Sequence, residues 1–221
     1  MLRLFPVIWL LFPGILCGQS QHPATRRQIA ARGGNSADRT ASQEQSLTET
    51  ANTALDLIGI QAGATVADVG ARNGEFTWRL AERVGSAGRV YAVNSQPSTL
   101  DRIRKTVAEH GLNNVKITRA TDQDPKLPAG KLDLVLLAGS YHGFTHPQDM
   151  IRWIRESLKP EGKLIVIEYR KEDQTLAVPE DERMSVQDIR MEIEPEGYKF
   201  EKVVGVLPHE HIVIFTKSRP N

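Results

Sequence analysis

The sequence predicts an α/β protein: a doubly wound, mostly parallel, seven-stranded sheet that ends in an antiparallel hairpin. Three observations carry this. From Val66 onward, short apolar runs alternate with segments whose apolar residues recur at helical spacing. A glycine-bearing turn, Asp68-Val69-Gly70-Ala71-Arg72-Asn73-Gly74, joins the first run to the first helix after it. That layout holds nucleoside-bearing ligands at the carboxyl edge of parallel sheets. The last two apolar runs are separated only by a short loop around Pro208-His209-Glu210, too short for a crossover, so they must be antiparallel.

Taken in order, residues 1–20 read as a secretory signal or membrane anchor. Arg3 precedes an apolar stretch from Leu4 to Cys17 that is shorter than the roughly 20 residues of a comfortable membrane span. Residues 21–45 are rich in Ala, Arg, Gln, Ser and Gly without apolar periodicity, the composition of a disordered linker. The folded domain is expected over 46–221. Leu47, Ala51, Ala54, Leu55 and Ile58 share one helical face, and Gly63 breaks the chain before a strand at Val66–Val69.

Phe76, Leu80 and Val84 line the next helix, which Gly85 stops, and Val90–Val93 is the second strand. Pro97 and Ser98 open a helix with Leu100, Ile103 and Val107 on one face and Gly111 at its end. Val115 and Ile117 mark a third strand. The unbroken apolar run Leu132–Ala138 suits a central strand covered on both faces. Met150, Ile154 and Leu158 predict a helix ended by a turn at Lys159-Pro160-Glu161-Gly162, before a fifth strand at Leu164–Ile167. Ser185, with Asp188 three residues on, caps a helix carrying Val186, Ile189 and Ile193. Phe200–Val206 and Ile212–Thr216 form the hairpin.

The balance of 28 Lys and Arg against 27 Asp and Glu, interspersed along the chain, argues against a nucleic-acid patch or an acidic tail. The single cysteine, Cys17, lies in the leader, so the folded part has no disulfide, thiol nucleophile or thiolate metal site. His209 and His211 alternate onto one face of a strand but lack a third ligand, and no metal is expected. The expected partner is a small molecule, with membrane association only through the N-terminal segment. The expected location is exported (periplasmic or secreted) or membrane-tethered, with the cytoplasmic face as the alternative.

In a doubly wound sheet, ligands lie beyond the carboxyl ends of the strands, so the residues there are the candidates. After the first strand, Gly70 allows a positive φ and Gly74 lets backbone approach a ligand at a helix N-terminus, while Asp68 can accept from an ammonium group. The same glycines also suit a plain tight turn. Asn94 ends the second strand, where a ribose needs an acceptor, and Asp122 or Asp124 past the third strand can accept from an adenine amino group. After the fourth strand, Tyr141 and His142 lie where a second substrate would sit. His142 is either a general base near neutral pH or an ordinary hydrogen-bonding histidine.

The order Val66–Gly74, Arg89–Asn94, Lys131–Leu136, Tyr141-His142 and Leu158–Leu164 resembles the class I S-adenosylmethionine-dependent methyltransferases, which have a Rossmann-like fold. The resemblance covers about 47–217. It implies S-adenosylmethionine as cofactor, with Asp68, Gly70 and Gly74 around its methionine part, Asn94 at the ribose and Asp122 or Asp124 at the adenine. It also implies an enzyme in which Tyr141 and His142 stand near the acceptor.

Two positions depart from the family pattern. Arg72 replaces the middle glycine of the loop, where it either pairs with the cofactor's carboxylate or occupies its space. Asn94 replaces the usual acid. The family's Asn-Pro-Pro-Tyr signature for methylating nucleic-acid bases is absent, which leaves a small-molecule acceptor. The competing reading is a catalytically degenerate binding protein outside the cytoplasm that keeps the fold. A dinucleotide oxidoreductase is disfavoured because positions 70, 72 and 75 are Gly, Arg and Glu.

Overall fold

In this computed structural model the described residues are 49–218. The leader, the linker and Leu47 lie outside them, as does Cys17. The chain runs through helix α1 (residues 49–58), β1 (Thr65–Val69), α2 (Glu75–Val84), β2 (Arg89–Asn94), α3 (Pro97–Glu109) and β3 (Val115–Arg119). It continues through β4 (Leu132–Ala138), α4 (Pro147–Ser157), β5 (Leu158–Arg170), β6 (Arg183–Met184), α5 (Val186–Ile193), β7 (Tyr198–Val204) and β8 (Glu210–Lys217). The sheet order is β3-β2-β1-β4-β5-β8-β7, with the two-residue β6 beside β5. All pairings are parallel except those of β8 with β5 and with β7. The predicted doubly wound sheet and terminal hairpin are both present.

Alternation along the strands splits the core in two, because successive side chains point to opposite faces. Val66, Val90, Leu134, Leu136, Ile165 and Ile214 pack with Leu55 of α1 and Leu80 and Val84 of α2. Ala67, Val93, Val135, Leu137, Val166 and Phe215 pack with Ile151 and Ile154 of α4 and with Ile189 and Ile193 of α5. Leu100 and Ile103 bring α3 down over Ala92. No described helix is long and apolar enough to cross a membrane.

The expected turn at Lys159–Gly162 is instead a bulge within a longer β5, and Leu158 begins that strand rather than ending α4. Leu132 pairs with Leu158, and the register then jumps so that Leu134 pairs with Lys163. Leu158 is fully buried, so it is fixed by the sheet and not by the helix. The bulge needs glycine at 162, where a Cβ would come 2.8 Å from the Leu132 carbonyl. Lys159 Nζ bonds Asp133 at 2.6 Å and anchors the same corner.

Candidate active site

β1 and β4 lie side by side at the point where the strand order reverses, so the loops after them flank the crevice a ligand would use. Gly70 has φ +76, and both its N–H and that of Ala71 donate to Val93 O, at 2.9 and 3.0 Å. A Cβ on Gly70 would lie 2.4 Å from Ser140 Cβ. Ser140 Oγ in turn donates to Val69 O at 3.0 Å, so the two loops are laced together. Gly74, φ +86, is the N-cap of α2, and its neighbour Asn73 accepts from Glu75 N at 3.2 Å.

Asp68 points to the α2 face of the sheet and is 3 % exposed. It accepts from Thr77 Oγ1 at 2.6 Å, and so it ties β1 to the first turn of α2. Burial pushes its carboxyl up to about 6, against the opposing pull of the Thr77 bonds. Asn94 donates from Nδ2 to Ala71 O and accepts from Gln96 N, both at 2.8 Å. It thereby braces the glycine loop while keeping one lone pair and one N–H for a ligand.

Asp124 holds its own loop, accepting from Lys126 N at 2.7 Å and Lys126 Nζ at 2.6 Å, bonds that hold its carboxyl below the usual range. Asp122 is exposed beside it. Arg72 is also exposed, and its Nη1 lies 3.5 Å from where a Cβ on Gly139 would be, at the end of β4.

The β4 end carries Tyr141 and His142 in a short 3-10 turn. Tyr141 is 2 % exposed and donates its hydroxyl to Glu192 at 2.9 Å. Burial, and then the Glu192 carboxylate, push its phenol well above the ordinary range, so it acts as a neutral wall at physiological pH. His142 Nδ1 lies 2.8 Å from Glu168 Oε2. The other Glu168 oxygen accepts from Tyr141 N at 2.8 Å and His142 N at 3.3 Å.

Glu168 is 1 % exposed, on the same sheet face as Val166 and His211, whereas Asp68 lies on the opposite one. Its hydrogen bond raises the His142 pKa above the usual value, outweighing burial. A cavity of about 750 Å³ adjoins this pair, with Phe144, Met184, Met191 and Glu192 among its walls. Sequence reasoning missed Glu168, although an acid directly ending the apolar run Leu164–Ile167 at a ligand-binding edge is a usable signal. His209 and His211 do not share a strand face. His209 precedes β8 and pairs with Asp173 at 3.0 Å, while His211 is buried.

A parallel sheet with a glycine loop at its switch point, a polar end to β2 and an acid after β3 defines a nucleoside-cofactor-binding α/β protein. Comparison narrows this: residues 60–204 match the family described as "Methyltransferase domain", and the chain belongs to that family. The chain is 30 % identical over 119 residues to the ubiquinone/menaquinone biosynthesis C-methyltransferase UbiE of Pseudomonas fluorescens, covering 53 % of this chain and 46 % of the relative. The UbiE of Hahella chejuensis is 28 % identical over 118 residues, with 53 % and 47 % covered. The chain thus spans about half the length of the curated relatives it matches.

Among solved structures, a SAM-dependent methyltransferase from Aquifex aeolicus superposes with a TM-score of 0.72 at 26 % identity, covering 76 % of this chain and 89 % of that one. The cyclase SpnF superposes at 0.66 with 15 % identity, over 78 % of this chain and 82 % of its own, which is a likeness of fold alone.

S-adenosylmethionine is the cofactor of this class, and the polar groups present suit it. Asn94 retains hydrogen-bonding capacity for a ribose, Asp122 offers an exposed acceptor for an amino group, and Arg72 offers an unpaired cation for a carboxylate.

Proposed function

We propose that this protein transfers a methyl group from S-adenosylmethionine to a hydroxylated aromatic small molecule, with His142 as the base that takes the acceptor's proton. The observation that carries this is the His142–Glu168 pair, 2.8 Å apart, with His142 in the wall of the cavity at the end of β4. The cofactor supplies an already activated methyl on a sulfonium, so the chain's task is alignment and proton removal. Glu168 fixes the imidazole with its Nδ1–H toward the carboxylate, which leaves Nε2 free to accept a proton. The Glu168 bond also makes His142 more basic.

Tyr141, Phe144, Met184 and Met191 give the cavity aromatic and thioether walls suited to a flat ring. The quinone-biosynthesis relatives support an acceptor of that kind. The leader points to an exported or membrane-tethered site of action.

A second reading, a binding protein that no longer transfers methyl groups, draws on one observation. Both ends of the Asn94 amide are already engaged within the chain, where the family has a free acid. Calorimetry of the full chain with S-adenosylmethionine separates the two. Enzyme function predicts a dissociation constant tighter than ~100 μM, about −5.5 kcal/mol; no heat at millimolar ligand would overturn it. With methyl-labelled cofactor and a panel of hydroquinones and methoxyphenols, His142→Ala should lose about 10²-fold or more in transfer rate and leave cofactor affinity unchanged. Equal rates would remove His142 from the chemistry.

A further inference from the structure

We propose that Arg72 recognises the carboxylate of the cofactor's methionine moiety, so that the residue that breaks the glycine pattern is a ligand and not an obstruction. This rests on the cofactor reading above.

Three observations support it. First, the backbone does not need glycine at this position. Among the described residues only Lys126 has a positive φ outside glycine, so Arg72 sits in an ordinary conformation and the loop keeps its shape. The positive angles fall on Gly70 and Gly74, the two glycines that remain. Second, the side chain has left the loop. Nη1 reaches across to the end of β4, 3.5 Å from a Cβ position on Gly139. Third, the guanidinium is exposed and forms no hydrogen bond or ion pair with any described residue. Arg79, Arg83, Arg155, Arg170 and Arg183, by contrast, are bonded to carboxylates, amides or carbonyls; Arg89 and Arg119 are also unpaired, but neither lies in the glycine loop. A planar cation with its donors unsatisfied is the group that matches a carboxylate in two parallel bonds.

The charge layout gives the carboxylate a direction. The acceptor cavity that His142 lines carries the acids Glu180, Asp181, Asp188 and Glu192 against the cations Lys171 and Arg183, an acidic excess that disfavours an anion there. Arg72 is not among those walls, and its Nη1 lies at the end of β4. Holding the carboxylate there neutralises the guanidinium, which would otherwise oppose a sulfonium placed nearby.

The test compares two ligands by calorimetry on the full chain. S-adenosylhomocysteine carries the amino-acid carboxylate; 5′-methylthioadenosine keeps the adenosine and the thioether but lacks it. The unaltered protein should bind the first at least about tenfold more tightly. Arg72→Ala should erase that preference by weakening the first ligand about tenfold and leaving the second unchanged. Arg72→Lys, which keeps the charge and loses the fork, should fall between. Tighter binding of S-adenosylhomocysteine by Arg72→Ala would show the side chain to be in the way and overturn the proposal. An equal loss for both ligands would overturn it too, because the effect would then belong to the adenosine end or the loop. Failure of S-adenosylhomocysteine to bind the unaltered protein would sink the cofactor reading itself, and this inference with it.

Discussion

Glu168 has both oxygens committed, to the Tyr141 and His142 amides and to the His142 ring, and it is almost fully buried. Its work is to set the tautomer and basicity of His142, since a base must be neutral to act and the bond favours the protonated ring. Transfer should therefore fall on the acid side of a pH above the ordinary histidine value, where His142 becomes protonated. Glu168→Gln keeps a hydrogen-bond acceptor and removes the charge, so the acid limb of the rate profile should move to lower pH while the maximal rate drops. A profile that loses height without moving would mean that Glu168 only supports the loop. At this scale the residue types were legible but their pairings were not. His142 and Asn94 stand out by position, yet nothing in the sequence joins His142 to an acid 26 residues away or turns both ends of the Asn94 amide inward. Those pairings depend on which strand neighbours which, and on which face each residue takes.

Element boundaries failed where tertiary packing overrode a local signal. Lys159-Pro160-Glu161-Gly162 has the composition of a turn, and it does interrupt pairing, but the flanking Leu158 is already committed to the sheet beside Leu132. The signal was therefore right about a break and wrong about the element that contains it. α5 shows the opposite outcome. Ser185 Oγ accepts from Asp188 N at 3.0 Å, and Asp188 Oδ2 accepts from Ser185 N at 3.3 Å, the reciprocal box that the spacing implies. Such a cap is a contact within three residues, so the sequence contains all of it. Ser185→Ala should cost about 1 kcal/mol in urea unfolding, with the slope of the transition unchanged. α5 also carries Glu192, the partner of the Tyr141 hydroxyl, so fraying of that helix reaches the cavity wall. A loss below a few tenths of a kcal/mol would show that the Lys171–Asp188 pair, at 3.0 Å, holds the helix start without the serine.

For the whole molecule, the mostly parallel sheet and the closing hairpin were legible because strands covered on both faces leave near-continuous apolar runs, and the last two runs are joined by a loop too short for a crossover. The same double burial acts on Asp68, which with Glu168 is one of two acids buried in the sheet. Asp68 lies on β1, between β2 and β4 and under α2, with water excluded and Thr77 as its partner. Its carboxyl is pushed up to about 6, against 3.8 in an unstructured chain. Below 3.8 both states hold the proton and the group is neutral in its effect. As pH rises from 3.8 to about 6, the unfolded chain releases the proton and the folded one retains it, so stability falls. Above about 6 the folded state carries a buried charge at a penalty on the order of 3 kcal/mol, since each pKa unit is worth ~1.4 kcal/mol. Asp68→Asn removes the ionisation and keeps a carbonyl for the Thr77 hydroxyl. The amide adds its own fixed cost by placing an NH₂ where a carboxylate oxygen was, so the useful quantity is how the difference between variant and parent changes with pH. Urea midpoints measured from pH 4 to pH 8 should show the variant gaining on the parent by roughly 2–3 kcal/mol across that range, with most of the change above the unstructured-chain value. A difference that stays flat would mean that Asp68 titrates as an exposed carboxylate and that water reaches the centre of the sheet.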